Sequence, residues 1–236
     1  MSANLNCRAA VQLLGFLVVL ACLLFLTAGT VDYWQAWLFL AVYFGSASAI
    51  TVYLAKKDPE LLERRMKAGP GAEKERGQKI IQALALAVFL SALVLPAFDV
   101  RFGWSKAPAW VAITGDGLMV VGLLIVFLVF RENSFTSGVI EVDAGQVVVS
   151  TGPYAVVRHP MYSGALIMMA GVPLALGSWW GLLATPAMLI VIVWRLLDEE
   201  KLLARKLPGY ETYLKTVRRR LAPFVWRAPQ GGFPPP

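Results

Sequence analysis

The chain's only histidine sits in Gly152-Pro153-Tyr154-Ala155-Val156-Val157-Arg158-His159-Pro160-Met161-Tyr162-Ser163-Gly164, between an arginine and a helix-starting proline. Proline is tolerated in the first helical turn because its missing N–H would have no partner there, so His159 falls at the N-cap. The free N–H groups of that turn make a helix mouth that attracts anions. Arg158 adds a planar fork suited to carboxylate or phosphate, and Tyr154 and Tyr162 add aromatic faces and hydroxyls. A purely structural reading has His159 capping the helix and Arg158 anchoring it to lipid headgroups. A second polar group follows in Trp194-Arg195-Leu196-Leu197-Asp198-Glu199-Glu200. Four residues apart on a helix, Arg195 and Glu199 share a face, where they either present both charges to one pocket or form an interfacial ion pair worth about 0.3–0.5 kcal/mol.

Positioning these groups falls to membrane helices. With 58% hydrophobic residues, 16% charged residues and a mean hydropathy of +0.62, the 236-residue chain is too apolar for an ordinary soluble domain. The expected fold class is all-α and polytopic, with about six membrane helices: Ala9–Ala28, Trp34–Leu54, Ile80–Phe98, Trp110–Phe130, Tyr162–Leu176 and Trp179–Leu197. A helix needs about 20 apolar residues to cross a bilayer, so the fifth is short. It must borrow Pro160 and Met161 or form a tight hairpin, 160–197, with the sixth.

Basic residues prefer the cytoplasmic side. With a cytoplasmic N-terminus the outer loops hold only Arg101 and Lys106, and the other 20 of the 22 Lys and Arg fall on the cytoplasmic side. Both termini are therefore expected there. The net charge of +7 reflects topology and acidic lipid, with no nucleic-acid signature behind it. A cleaved signal peptide is the competing reading of Ala9–Ala28, which exceeds a usual signal core. Cys7 and Cys22 form no disulfide framework, and one histidine without a cysteine cluster forms no recognisable metal site.

The chain divides into residues 1–130, carrying four membrane helices and the cytoplasmic loop 55–79, then 131–227, carrying the polar groups, and a tail at 228–236 expected to be disordered. Within the loop, Asp58-Pro59 starts a short surface helix that sets Leu61, Leu62 and Met66 against Glu63, Arg64, Arg65 and Lys67, and Gly69-Pro70-Gly71 ends it. Asp116 stands inside the fourth span, where an acid is expensive, but near its outer end and within reach of interfacial water. Between the fourth and fifth helices lie the polar run Arg131-Glu132-Asn133-Ser134-Phe135 and a β-like stretch, Gln146–Ser150. This connection is longer than usual, which favours a role in covering a ligand. Pro208-Gly209-Tyr210, Tyr213 and the run Arg218-Arg219-Arg220 suggest a surface helix held to acidic lipid.

Gly-x-Tyr-x-x-x-Arg-His-Pro-x-Tyr-x-Gly, followed about thirty residues on by Arg-x-x-x-Glu-Glu and then Gly-Tyr-x-x-Tyr, resembles the isoprenylcysteine carboxyl methyltransferase family over roughly residues 133–224. Arg-His-Pro-x-Tyr alone also occurs in phospholipid N-methyltransferases and membrane sterol reductases. The resemblance implies an integral membrane methyltransferase that binds S-adenosylmethionine on its cytoplasmic side, in a pocket of the C-terminal half. Its implied cofactor contacts are Gln146, Val147, Val148, Val149, Tyr154, His159, Pro160, Met161, Tyr162 and Glu199. Arg195 matches the substrate-binding arginine and is the implied catalytic residue. Residue 146 is Gln where some relatives have His, and Val139–Glu141 stays unaligned. No G-x-G-x-x-G follows a predicted strand, in keeping with the absence of a Rossmann domain.

The implied partners are membrane lipid and a lipophilic or prenylated acceptor. An ionised carboxylate needs no general base, whereas an amine or thiol acceptor must lose a proton, for which only His159 or Glu199 stands ready. Four readings follow. They are transfer to an isoprenylcysteine-type carboxylate, transfer to a phospholipid amine or small thiol, NADPH-dependent reduction of a sterol-type substrate, and non-catalytic lipid binding.

Overall fold

In the computed structural model, residues 2–66, 71, 73, 75–138, 145–223 and 225–227 are described. Lys67, the helix break at Gly69-Pro70, Val139–Glu141 and the tail 228–236 lie outside them. The elements are α1 (Ser2–Ala28), α2 (Trp34–Lys57), α3 (Pro59–Met66), α4 (Arg76–Phe102), α5 (Ala109–Glu132), α6 (Pro160–Ala175), α7 (Ala184–Lys206), α8 (Tyr210–Thr216), β1 (Arg219–Ala222) and β2 (Val225–Arg227). Single 3₁₀ turns occupy Gly152–Ala155 and Trp180–Leu183.

Among the described residues, five helices are long and apolar enough to cross a membrane, and the all-α polytopic expectation is borne out. They carry exposed apolar side chains such as Leu14, Val18, Ile113, Leu124 and Ile190. In water such surface would be costly, whereas hydrocarbon is its natural solvent. Residues from both halves, among them Leu20, Phe39, Leu93, Met119, Met169 and Leu196, meet in one core.

The sixth apolar helix, α6, has 16 residues and starts at Pro160, as the borrowing of Pro160 and Met161 requires. At 1.5 Å per residue it measures about 24 Å, short of the roughly 30 Å hydrocarbon core. The turn to the next span takes four residues, 176–179, where two were expected, and α6 packs chiefly on α5. Glycines cause this. A Cβ on Gly122 would lie 2.5 Å from the Gly164 carbonyl oxygen, and one on Gly171 would lie 2.6 Å from that of Gly115. Two glycine pairs two turns apart thus let the backbones touch, as small residues do in membrane helix pairs.

At the end away from the polar groups, Tyr33 donates to the Leu176 carbonyl (2.6 Å). Asp99 accepts from the Ser178 hydroxyl (2.5 Å) and from the Ser105 backbone N–H (2.6 Å). The turn after α6 is thereby tied to α2 and α4. Asp116 does not reach water as expected: it is buried, and neither carboxylate oxygen has a partner among the described residues.

Three further expectations change. Gln146–Ser150 pairs with no strand among the described residues. The helix expected after Pro208-Gly209 forms as α8 but ends at Thr216, before the arginine run, where β1 pairs antiparallel with β2, Arg219 opposite Arg227. Alternation along β1 turns Arg220 inward, where it is buried. The helix α3 starts where Asp58-Pro59 places it, its Leu61 N–H bonded to the Asp58 carboxylate (3.0 Å). Its apolar face does not lie free, because Leu61 and Leu62 pack with Leu54 of α2 and Val129 and Phe130 of α5.

Candidate active site

The residue before a proline is pushed toward extended backbone, and His159 is the N-cap of α6 at φ −123°, ψ 62°. Its neighbourhood is fixed from far along the chain. The N–H groups of Arg158 and His159 donate to the Arg219 and Arg220 carbonyls (2.9 and 3.0 Å), so the β1 strand clamps the chain entering α6. Ser163 adds a bond from its hydroxyl to the Leu221 carbonyl (2.5 Å).

Beneath this clamp lies a buried ion cluster centred on Glu200. One carboxylate oxygen accepts from Arg158 Nη1 (3.0 Å) and lies 3.3 Å from His159 Nε2; the other meets Arg220 Nε and Nη2 (3.0 and 2.9 Å). Arg158 also donates to the Val217 and Leu214 carbonyls (2.5 and 2.7 Å). Arg158 is therefore no headgroup anchor; it lines the cleft with its guanidinium held by Glu200 and two backbone carbonyls, and the His159 side chain does not cap its helix.

The cleft opens above the cluster. Its walls are Asn133, Phe135, Thr136 and Ser137 after α5, Gln146–Val149, Tyr154, the start of α6, the last turns of α7, and Tyr210 and Tyr213 of α8. Of the implied cofactor contacts, Gln146, Val147, Val148, Val149, Tyr154, His159, Met161, Tyr162 and Glu199 line it, and so does Arg195. Pro160 does not. It faces an apolar groove on the other side of α6, with Leu166, Ile167 and Leu221.

Arg195 and Glu199 share a helix face, but the Tyr162 hydroxyl stands between them. It accepts from Arg195 Nε (3.1 Å) and donates to Glu199 Oε2 (2.6 Å). Two of the remaining bonds reach the N-terminal half: Nη1 donates to Gln78 Oε1 (3.1 Å) and Nη2 to Glu73 Oε1 (2.9 Å), while Nη2 also donates to the Gly138 carbonyl (3.2 Å). Gln78 in turn donates to Asp198. Arg65 ties α3 to the same wall by donating to the Ser137 carbonyl (2.8 Å), and burial lowers its pKa. Tyr154 accepts from Asn133 Nδ2 (3.1 Å), and burial pushes its phenol up to about 12. Burial raises Tyr210 and Tyr213 as well, so all three stay neutral donors at physiological pH.

Sequence reasoning did not assign Glu200, Arg220, Glu73 or Gln78 to the site. Glu200 is visible as the second Glu of Arg-x-x-x-Glu-Glu. Nothing near Glu73 or Gln78 in the sequence points to a residue 122 or 117 positions away.

The relatives of this chain indicate an integral membrane methyltransferase. Residues 110–208 match the family model for phospholipid methyltransferase. The chain is 29% identical over 151 residues, 62% of its length and 72% of the relative's, to protein-S-isoprenylcysteine O-methyltransferase B of Arabidopsis thaliana. These matches bear out the resemblance drawn from the two motifs. Glu73 and Gln78 precede the region covered by the family model.

Proposed function

We propose that this protein transfers a methyl group from S-adenosylmethionine to the carboxylate of a lipophilic, isoprenylcysteine-type acceptor. The observation that carries the reading is the chain Arg195–Tyr162–Glu199 inside a cleft that nine of the ten implied cofactor positions line. The donor set suits a ligand bearing both a cation and a carboxylate. Glu199 offers a negative group, the tyrosines offer neutral hydroxyls, and the first N–H groups of α6 have no helical acceptor.

When bound, S-adenosylmethionine supplies an electrophilic methyl whose bond to sulfur breaks, its electron pair passing to sulfur, as the acceptor oxygen bonds to the carbon. The chain's own task is positioning and exclusion of water. Arg195 orients the acceptor carboxylate, which is already ionised, so no residue has to remove a proton. Tyr162 holds Arg195 and Glu199 in fixed relation. Glu200 fixes Arg158 and His159 below, so that the α6 mouth keeps its geometry. The 20 basic residues on one side support a topology with both termini and the cleft in the cytoplasm.

The match to phospholipid methyltransferases favours one second reading, an amine headgroup acceptor with Glu199 as base. Purified protein should show a thermal shift with S-adenosylhomocysteine and none with NADPH. It should then methylate a prenylcysteine and not phosphatidylethanolamine. A shift with NADPH alone would end the methyltransferase reading, and methylation of the phospholipid alone would move the acceptor to the amine.

A further inference from the structure

The guanidinium of Arg195 already holds a carboxylate, and it belongs to the chain itself. Glu73 is buried, 2.9 Å from Nη2, and its oxygen also accepts from Gln82 Nε2 (3.0 Å). With Nε on Tyr162 and Nη1 on Gln78, every nitrogen of the fork is engaged. A free fork with two parallel bonds is the usual way to grip an incoming carboxylate, and here Glu73 holds part of it.

We infer that Glu73 is a resident counter-carboxylate that the acceptor must displace from Arg195 and that reclaims Arg195 once the acceptor is methylated. This rests on the reading of Arg195 as the acceptor's anchor. The acid carries the same charge as Glu73 and so can compete with it for Arg195. The methyl ester is neutral and makes only an uncharged hydrogen bond to a guanidinium, so it loses that competition. Gln82 gives the displaced Glu73 somewhere to go, since its amide already donates to the same oxygen and to the Gly138 carbonyl (2.9 Å). Glu73 thereby turns the change of charge in the reaction into release of product. It also makes the site selective, because an acceptor without a negative group cannot open the pair.

The test uses the full chain in detergent or nanodiscs with a prenylcysteine as acceptor and its methyl ester as product inhibitor. Glu73→Gln keeps size and hydrogen bonding to Gln82 but removes the charge. KM for the acid should fall about tenfold, and inhibition by the ester should strengthen by a similar factor. The affinity for S-adenosylhomocysteine should not change. Gln82→Leu removes the donor that receives the displaced carboxylate and should move KM the opposite way, upward, with the same cofactor affinity. A structural role for the Glu73–Arg195 pair would shift both variants in one direction, and that result overturns the inference. So does an unchanged KM in Glu73→Gln. If Glu73→Gln does not fold, the rise in KM for Gln82→Leu decides alone, and no rise overturns the inference. Arg195→Lys separates the two levels: if it leaves the acceptor KM untouched, the anchor itself is misassigned. If it raises KM while Glu73→Gln lowers nothing, only the displacement fails.

Discussion

Replacing Glu200 by glutamine tests whether the site stands on the buried ion cluster. In the wild type one fully buried carboxylate serves two arginines, Arg158 at 3.0 Å and Arg220 at 2.9 Å, with the His159 ring 3.3 Å away. The variant keeps the side chain's shape but removes the negative charge that faces two guanidinium groups, and its amide nitrogen turns a donor toward a cation. Arg158 retains its two carbonyl acceptors, so the loss falls on charge rather than on every hydrogen bond. Removing one partner of a buried ion pair costs about 3–5 kcal/mol. At about 2–4 °C per kcal/mol for a chain of this size, that is about 6–20 °C in melting temperature. Because Arg158 and His159 enter α6 directly, S-adenosylhomocysteine affinity should fall at least about tenfold, the equivalent of about 1.4 kcal/mol. Thermal unfolding followed by tryptophan fluorescence with and without S-adenosylhomocysteine reads both quantities. A variant that melts with the wild type and binds the ligand equally well would refute the reasoning, since the cluster would then neither hold the fold nor shape the cleft.

Arg195→Lys keeps the charge but cannot span Tyr162, Gln78 and Glu73 at once, so methyl transfer to a prenylcysteine should drop at least about tenfold while S-adenosylhomocysteine affinity changes much less. Isothermal titration of His159→Ala and Glu199→Ala with S-adenosylhomocysteine should show weakening equivalent to about 1.5–3 kcal/mol each; full affinity in both would remove them from the cofactor's site. Gly122→Ala drives a methyl group into the Gly164 carbonyl and Met168 and should destabilise the chain by about 1–3 kcal/mol, whereas Gly117→Ala, which meets nothing within 4 Å, should not. Cysteines introduced at the exposed Lys215 and Lys106 should react with an impermeant thiol reagent from opposite sides of the membrane, Lys215 from the cytoplasm, and labelling of both from one side would overturn the topology.

Local features were legible in the amino-acid sequence. Apolar runs marked the spans because a bilayer demands about 20 consecutive apolar residues. Pro160 marked the start of α6 and placed His159 at its N-cap, because proline restricts both its own and the preceding backbone. The family resemblance named the cleft's lining: five of the nine lining positions fall within the two motifs, and Gln146–Val149 lie just before the first. Which group pairs with which was settled only by the folded chain. Arg158 read as a fork for an anion or a headgroup anchor and Arg219–Arg220 as cations for lipid, and only a strand hairpin returning beside α6 brings Arg158 and Arg220 onto Glu200. Arg195 and Glu199 were neighbours on paper, yet Tyr162 lies between them and Glu73 takes the outer nitrogen. A charge specifies its partner only through distance, and the fold sets that distance between Arg195 and Glu73, 122 residues apart in the chain.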